Sequence, residues 1–154
     1  MSLPSEAQEA LITLFRGGTT AVEAYERALE KFAGQPEEPT LKEIAAGHRE
    51  AVARLELELK HQGIVAQLGP GAWGSMFNAI GSLTALVNDE VPLQMLQLGE
   101  EGGIAVHERA LAAEGFSPAV VRQIHEGIGR CKRNGERLQR LRDVITTRPT
   151  RPMI

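Results

Sequence analysis

Apolar residues recur at three- and four-residue spacing through most of the chain, with polar residues between them. That period gathers the apolar side chains into one stripe of an α-helix. A first helix is expected from about Ser5 to Phe32, its stripe formed by Leu11, Leu14, Phe15, Val22, Tyr25, Leu29 and Phe32. Gly34-Gln35-Pro36 ends it, and Pro39-Thr40 is expected to cap a second helix that continues to about Gln62. Its inward positions are Leu41, Ile44, Ala45, His48, Val52, Leu55 and Leu59, and Gly63 is a natural stop. After a break at Gly69-Pro70-Gly71, the residues Trp73, Met76, Phe77, Ile80, Leu83 and Leu86 mark a shorter helix. Asn88-Asp89 caps a third long helix, which passes through Leu93, Leu96, Glu100, Gly103, His107 and Leu111 to about Ala113. Ser117 caps a fourth, with Pro118 at its favoured first position and Val121, Ile124, Ile128, Cys131, Leu138, Leu141 and Ile145 along its stripe. Residues 1–146 read as one domain, and 147–154, with two Pro and two Arg, as a flexible tail.

The first two long helices are joined by a short connection, and so are the last two, which makes two antiparallel hairpins. The roughly thirty-residue link between the hairpins must then be a long crossover with a helix of its own, the connectivity of a ferritin-like four-helix bundle. An internal echo agrees. Tyr25-Glu26-Arg27-Ala28-Leu29 returns 82 residues later as His107-Glu108-Arg109-Ala110-Leu111, with four of five residues identical. Two related hairpins about a pseudo-two-fold axis would place Tyr25 and His107 at equivalent positions. The expected fold class is therefore all-α.

Composition fits this expectation. A chain of 154 residues buries ~70% of its unfolded surface, enough for a core without staples. Four Phe, one Tyr and one Trp leave that core to Leu, Ile, Val and Ala. The single cysteine, Cys131, rules out an internal disulfide and a four-thiolate metal site. The N-terminal segment carries acids and no cationic stretch, and no apolar run approaches the ~20 residues of a membrane span. A cytoplasmic protein without a membrane partner is expected. The charge is unevenly spread: from Ser117 onward nine Lys/Arg face three acids, whereas Met1 to Phe116 carries eight against seventeen. No aromatic residue interleaves the basic stretch, so it reads as a cationic helix packed beside acidic ones. Nucleic-acid binding through it ranks as a third option.

The pattern of Gly17-Gly18 followed by Ala24-Tyr25-Glu26-Arg27-Ala28, then Gly71-Ala72-Trp73-Gly74, then Gly99-Glu100-Glu101 ahead of His107, resembles the bacterial ferritin-like family known as domain of unknown function 2383. The resemblance covers about residues 8 to 144. It implies the bundle fold and a bacterial cytoplasmic origin, and it implies no activity.

A di-iron site on such a bundle needs one Glu from each of two helices and Glu-x-x-His from each of the other two. Here Ala45 lies three residues before His48, Ile104 before His107 and Arg122 before His125. Glu58-x-x-His61 sits at a helix end and reads as solvated surface. A reduced set is still conceivable. Glu100 and His107 are two turns apart on one stripe, His48 faces inward, and Glu26 borders the stripe beside Tyr25. Glu26, His48, Glu100 and His107 are thus the candidate metal ligands, with iron or zinc as the metal. The competing expectation is a hydrogen-bonded network without cofactor, in which Glu100 pairs with His107, or Tyr25 with a neighbouring carboxylate. Cys131 is expected to be a buried, inert thiol. No nucleophile elbow, Walker loop or dinucleotide fingerprint is present. The functional expectation is a non-enzymatic interaction or stress-response module, a homodimer through apolar helix surfaces. A metal-binding bundle is the alternative, and no feature names a protein partner.

Overall fold

In the computed structural model, which describes residues 2–66 and 88–147, the four long stripes become four helices. These are α1 (Ser5–Lys31), α2 (Glu38–His61), α3 (Glu90–Leu111) and α4 (Pro118–Thr147). The expected short helix bearing Trp73, Met76, Phe77 and Ile80 lies outside the described residues, as do 148–154 of the expected tail.

Most termini follow their local signals. Ser117 Oγ accepts the Val120 N–H at 3.2 Å, and Asn88 Oδ1 accepts the Glu90 N–H at 2.8 Å. At the end of α2, Gly63 turns into the left-handed region (φ 68°), which lets the Ile64 N–H reach the Leu59 carbonyl at 2.9 Å. The start of α2 differs from expectation. The helix begins at Glu38, no side chain caps it, and Thr40 lies inside. Pro39 sits in the first turn, where its missing N–H costs nothing, and the Glu38 carboxylate favours that end of the helix dipole.

Helices α1 and α2 form one hairpin, α3 and α4 the other, and α1 packs against α3, while α2 and α4 meet only sparsely. Lys31 pairs with Asp89 at 3.4 Å, so α1 ends where α3 begins. The C-terminus of α2 packs instead with the N-terminal half of α1, where Leu59 joins Leu11 and Leu14. Thus α2 ends and α3 starts at opposite ends of the bundle, as a long crossover requires.

The interior of α1 is finer-grained than its large apolar residues suggest. Val22 and Leu29 are only half-buried, while Ala21, Ala24 and Ala28 are fully buried. Close approach accounts for part of this: a Cβ on Gly18 would stand 2.7 Å from Val52 Cγ2, so at that point the α1–α2 seam admits no side chain on α1. The buried side chains form two clusters. One surrounds Tyr25, Phe32, Leu41, Leu93, Leu96 and Leu138, and the other surrounds Leu11, Leu14, Leu59 and Ile124. Part of the positive charge of α4 is answered by neighbouring helices at the surface, Arg137 pairing with Glu43 of α2 and Arg142 with Glu90 of α3 at 3.1 Å. No described helix is long and apolar enough to cross a membrane.

Candidate functional site

Glu100 is the centre of the polar interior. It lies on the stripe of α3 between Leu96 and Gly103, and its residue is fully buried. Three donors from three other helices converge on one of its oxygens. Tyr25 of α1 donates its hydroxyl to Oε1 at 2.7 Å, His48 of α2 approaches the same oxygen through Nε2 at 2.7 Å, and Asn134 of α4 donates Nδ2 at 3.3 Å. Because a carboxylate oxygen only accepts, Nε2 of His48 is the protonated nitrogen of that contact. The Tyr25 and His48 rings pack 5.4 Å apart at a tilt of 30°, so their carbons close the apolar side of the cluster. Oε2 of Glu100 is buried and has no hydrogen-bond partner among the described residues.

The cluster reshapes its members. Burial, followed by the charge of Glu100 and the hydrogen bond to it, holds the Tyr25 hydroxyl well above the usual phenol range. Burial and then the Glu100 carboxylate likewise push the Cys131 thiol above the usual thiol range. Both groups stay protonated at neutral pH, so Cys131 is a poor nucleophile.

His107 belongs to a different setting. Its Nδ1 donates to the Gly103 carbonyl of the preceding turn at 2.7 Å, which makes Nε2 the acceptor nitrogen of the neutral ring. The ring occupies volume that α4 leaves free at Gly127, where a Cβ would come within 2.3 Å of Nε2. Burial lowers its pKa, with the nearby Arg130 and His48 acting in the same direction, while the Gly103 bond and Glu100 oppose them.

The four candidate ligands therefore separate. His48 and Glu100 touch, whereas His107, the expected partner of Glu100, lies close enough to feel both yet bonds the Gly103 carbonyl of its own helix. Glu26 is a correction: it is exposed and pairs with Arg49 at 3.4 Å, because the position beside Tyr25 turns out of the bundle. Its place in the interior is taken by Tyr25 itself and by Asn134. Among the described residues no three His, Cys, Asp or Glu side chains are arranged to share a metal ion. The donor set does not fit a di-iron or zinc centre in this arrangement, since His48 Nε2 carries the proton it gives to Glu100 Oε1 and so presents no lone pair to a metal. His61 and His125 are exposed, as their helical positions imply.

Asn134 was not evident from the apolar stripe. It occupies an inward position between Cys131 and Leu138, three residues from one and four from the other, and that spacing is the signal that could have found it. Arg130, one residue before Cys131, lines the space beside His107 and was likewise not singled out. Compared with family models, curated proteins and solved structures, the chain finds no match.

Proposed function

We propose that this chain is a ferritin-like bundle that works as a non-enzymatic interaction or stress-response module, cytoplasmic and homodimeric. The observation that carries the reading is the closure of the polar interior upon itself. Tyr25, His48 and Asn134 all spend their reach on Glu100 Oε1, so the residues that a related metalloprotein would present to a metal here hold four helices together. The two hairpins, the α1–α3 contact and the end-to-end link between them favour the ferritin-like form of the bundle. The resemblance to domain of unknown function 2383 points the same way. The dimer rests on the apolar Trp73, Met76, Phe77 and Ile80 of the connecting segment.

Metal content decides against or for the competing reading, in which iron or zinc binds. The donor-free Oε2 of Glu100 is the feature that favours it. Protein purified without chelator and assayed by elemental analysis is expected to carry far less than one equivalent of either metal, and neither metal should raise its melting temperature. Near-stoichiometric iron or zinc that survives dialysis, with strong stabilisation by mass action, would overturn the proposal. Light scattering across a concentration series tests the dimer, and a monomer throughout removes that part.

A further inference from the structure

Because α2 and α4 meet sparsely, a cleft opens between them beside His107. It consists of an outer hollow of about 30 Å³ and an inner one of about 40 Å³. Both are lined by Leu14, Leu55, His107 and Arg130, so the two are contiguous. Each exceeds the ~10–15 Å³ that a single water needs. The inner hollow is mostly apolar, floored by Leu14, Val52, Leu55 and Val106, and Gly17, where an added Cβ would meet nothing within 4 Å, leaves it open on the α1 side.

Arg54 and Glu126, which line the outer hollow, are paired with each other, whereas Arg130 is the cation common to both hollows. Its side chain leaves α4 and crosses to α2, with Cδ 3.6 Å from where a Gly47 Cβ would stand. Its Nε is buried and has no hydrogen-bond partner among the described residues. None of the ion pairs among those residues includes it; the nearby Glu126 pairs with Arg54 at 3.4 Å instead. A guanidinium N–H held out of water without an acceptor is costly, and a planar carboxylate that takes it can also accept from the neighbouring Nη. The apolar floor beneath adds a second requirement, a short hydrocarbon tail.

We propose that the α2–α4 cleft binds a short-chain aliphatic carboxylate, its head group on Arg130 and its tail against Leu14, Val52 and Leu55. The hollows are small, so acetate and propionate are the expected occupants, and a six-carbon chain would extend beyond the apolar floor. Sulfate and chloride satisfy the charge and leave the apolar floor unmatched.

The test uses the full chain titrated with sodium propionate, acetate, hexanoate or chloride at constant ionic strength. Thermal unfolding and the ring resonances of His107, whose imidazole lines both hollows, are followed together. Propionate and acetate are expected to give saturable shifts of the His107 resonances and a saturable rise in melting temperature. Hexanoate and chloride should give neither. Arg130→Gln should abolish the propionate effect, while Arg133→Gln, which alters an exposed arginine of the same helix, should retain it. Shifts that are linear in concentration and equal for chloride would overturn the site, as would saturation that persists in a folded Arg130→Gln protein. Should Arg130→Gln fail to fold, the chain-length series in the unaltered protein decides alone, and equal binding of propionate and hexanoate would sink the proposal.

Discussion

Glu100 and His107 sit two turns apart on one stripe of α3, yet the bundle treats them in opposite ways. At the level of Glu100 every other helix sends a donor inward, and the carboxylate is sealed. At the level of His107, α4 offers Gly127, α2 offers Ala51, and α1 offers Gly17 and Gly18. The imidazole fills the gap with its own ring and turns back on its own backbone. A polar residue on an inward stripe thus becomes a crosslink only where neighbouring helices supply matching groups at the same height. Where they supply small residues it becomes a wall of a cleft.

The sharpest way to break this contrast is to delete the acceptor. Glu100→Ala leaves Tyr25, His48 and Asn134 facing an apolar methyl, and breaking such a buried pair should cost about 3 kcal/mol or more. For a domain of this size that corresponds to a fall of roughly 10 °C in melting temperature. His107→Ala removes only a local bond to Gly103 and some packing, for about 1 kcal/mol. Urea denaturation of the two variants measures both; equal losses would show that the two levels are not different in kind.

Much of this arrangement was legible in the sequence. The four helices, their order and the inward phase of His48, Glu100 and Cys131 follow from the 3.6-residue period, since apolar stripes fix which way each position points. The helix starts at Asn88 and Ser117 were legible for the same local reason. Axial level was not legible, because the height at which two helices meet depends on packing across the bundle rather than on either sequence. That is why Glu100 could be placed inside while its partners could not all be named. Glu26 was misplaced because it flanks Tyr25 at the edge of the stripe, where one position decides between interior and solvent. The alanines of α1 were undervalued because close helix approach, set by Gly18 against Val52, rewards small residues over large ones.

Glycine replacements probe the open level. Gly127→Ala drives a Cβ into the His107 ring, and overpacking of ~1–3 kcal/mol should outweigh the ~1 kcal/mol gained in helix propensity. Gly102→Ala meets nothing within 4 Å and should stabilise the protein by ~0.5–1 kcal/mol. Combining Gly127→Ala with His107→Ala provides the control. With the imidazole gone the added methyl has room, so the double variant should be at least as stable as His107→Ala alone. Purely additive losses would mean that Gly127 serves something other than the ring.

Removing a single donor from the closed level is gentler. Tyr25→Phe keeps the ring contact with His48 and loses the hydroxyl bond to Glu100, at a cost of about 1 kcal/mol. The same hydroxyl reports on closure directly, because Tyr25 is the only tyrosine. Its raised pKa means that the folded protein should show no phenolate absorption as the pH passes 10, the ordinary value. Ionisation at the usual pH in the folded state would show that the cluster is wet.

The smallest effect is the pH response of His107, and it separates the two levels without altering either. Burial lowers the pKa of this imidazole below its unfolded value. The unfolded chain therefore takes up a proton first as pH falls below about 6.5. The stability His107 contributes is present above that value and declines as pH falls toward its folded pKa, since protons are bound more readily by the unfolded state. Urea midpoints collected between neutral pH and pH 5 should thus fall more steeply for the unaltered protein than for His107→Gln, which keeps a polar side chain but cannot titrate. His125→Gln, made at an exposed position, should leave the slope unchanged. A slope that survives His107→Gln would place the acid sensitivity elsewhere and deny the imidazole its buried, neutral state.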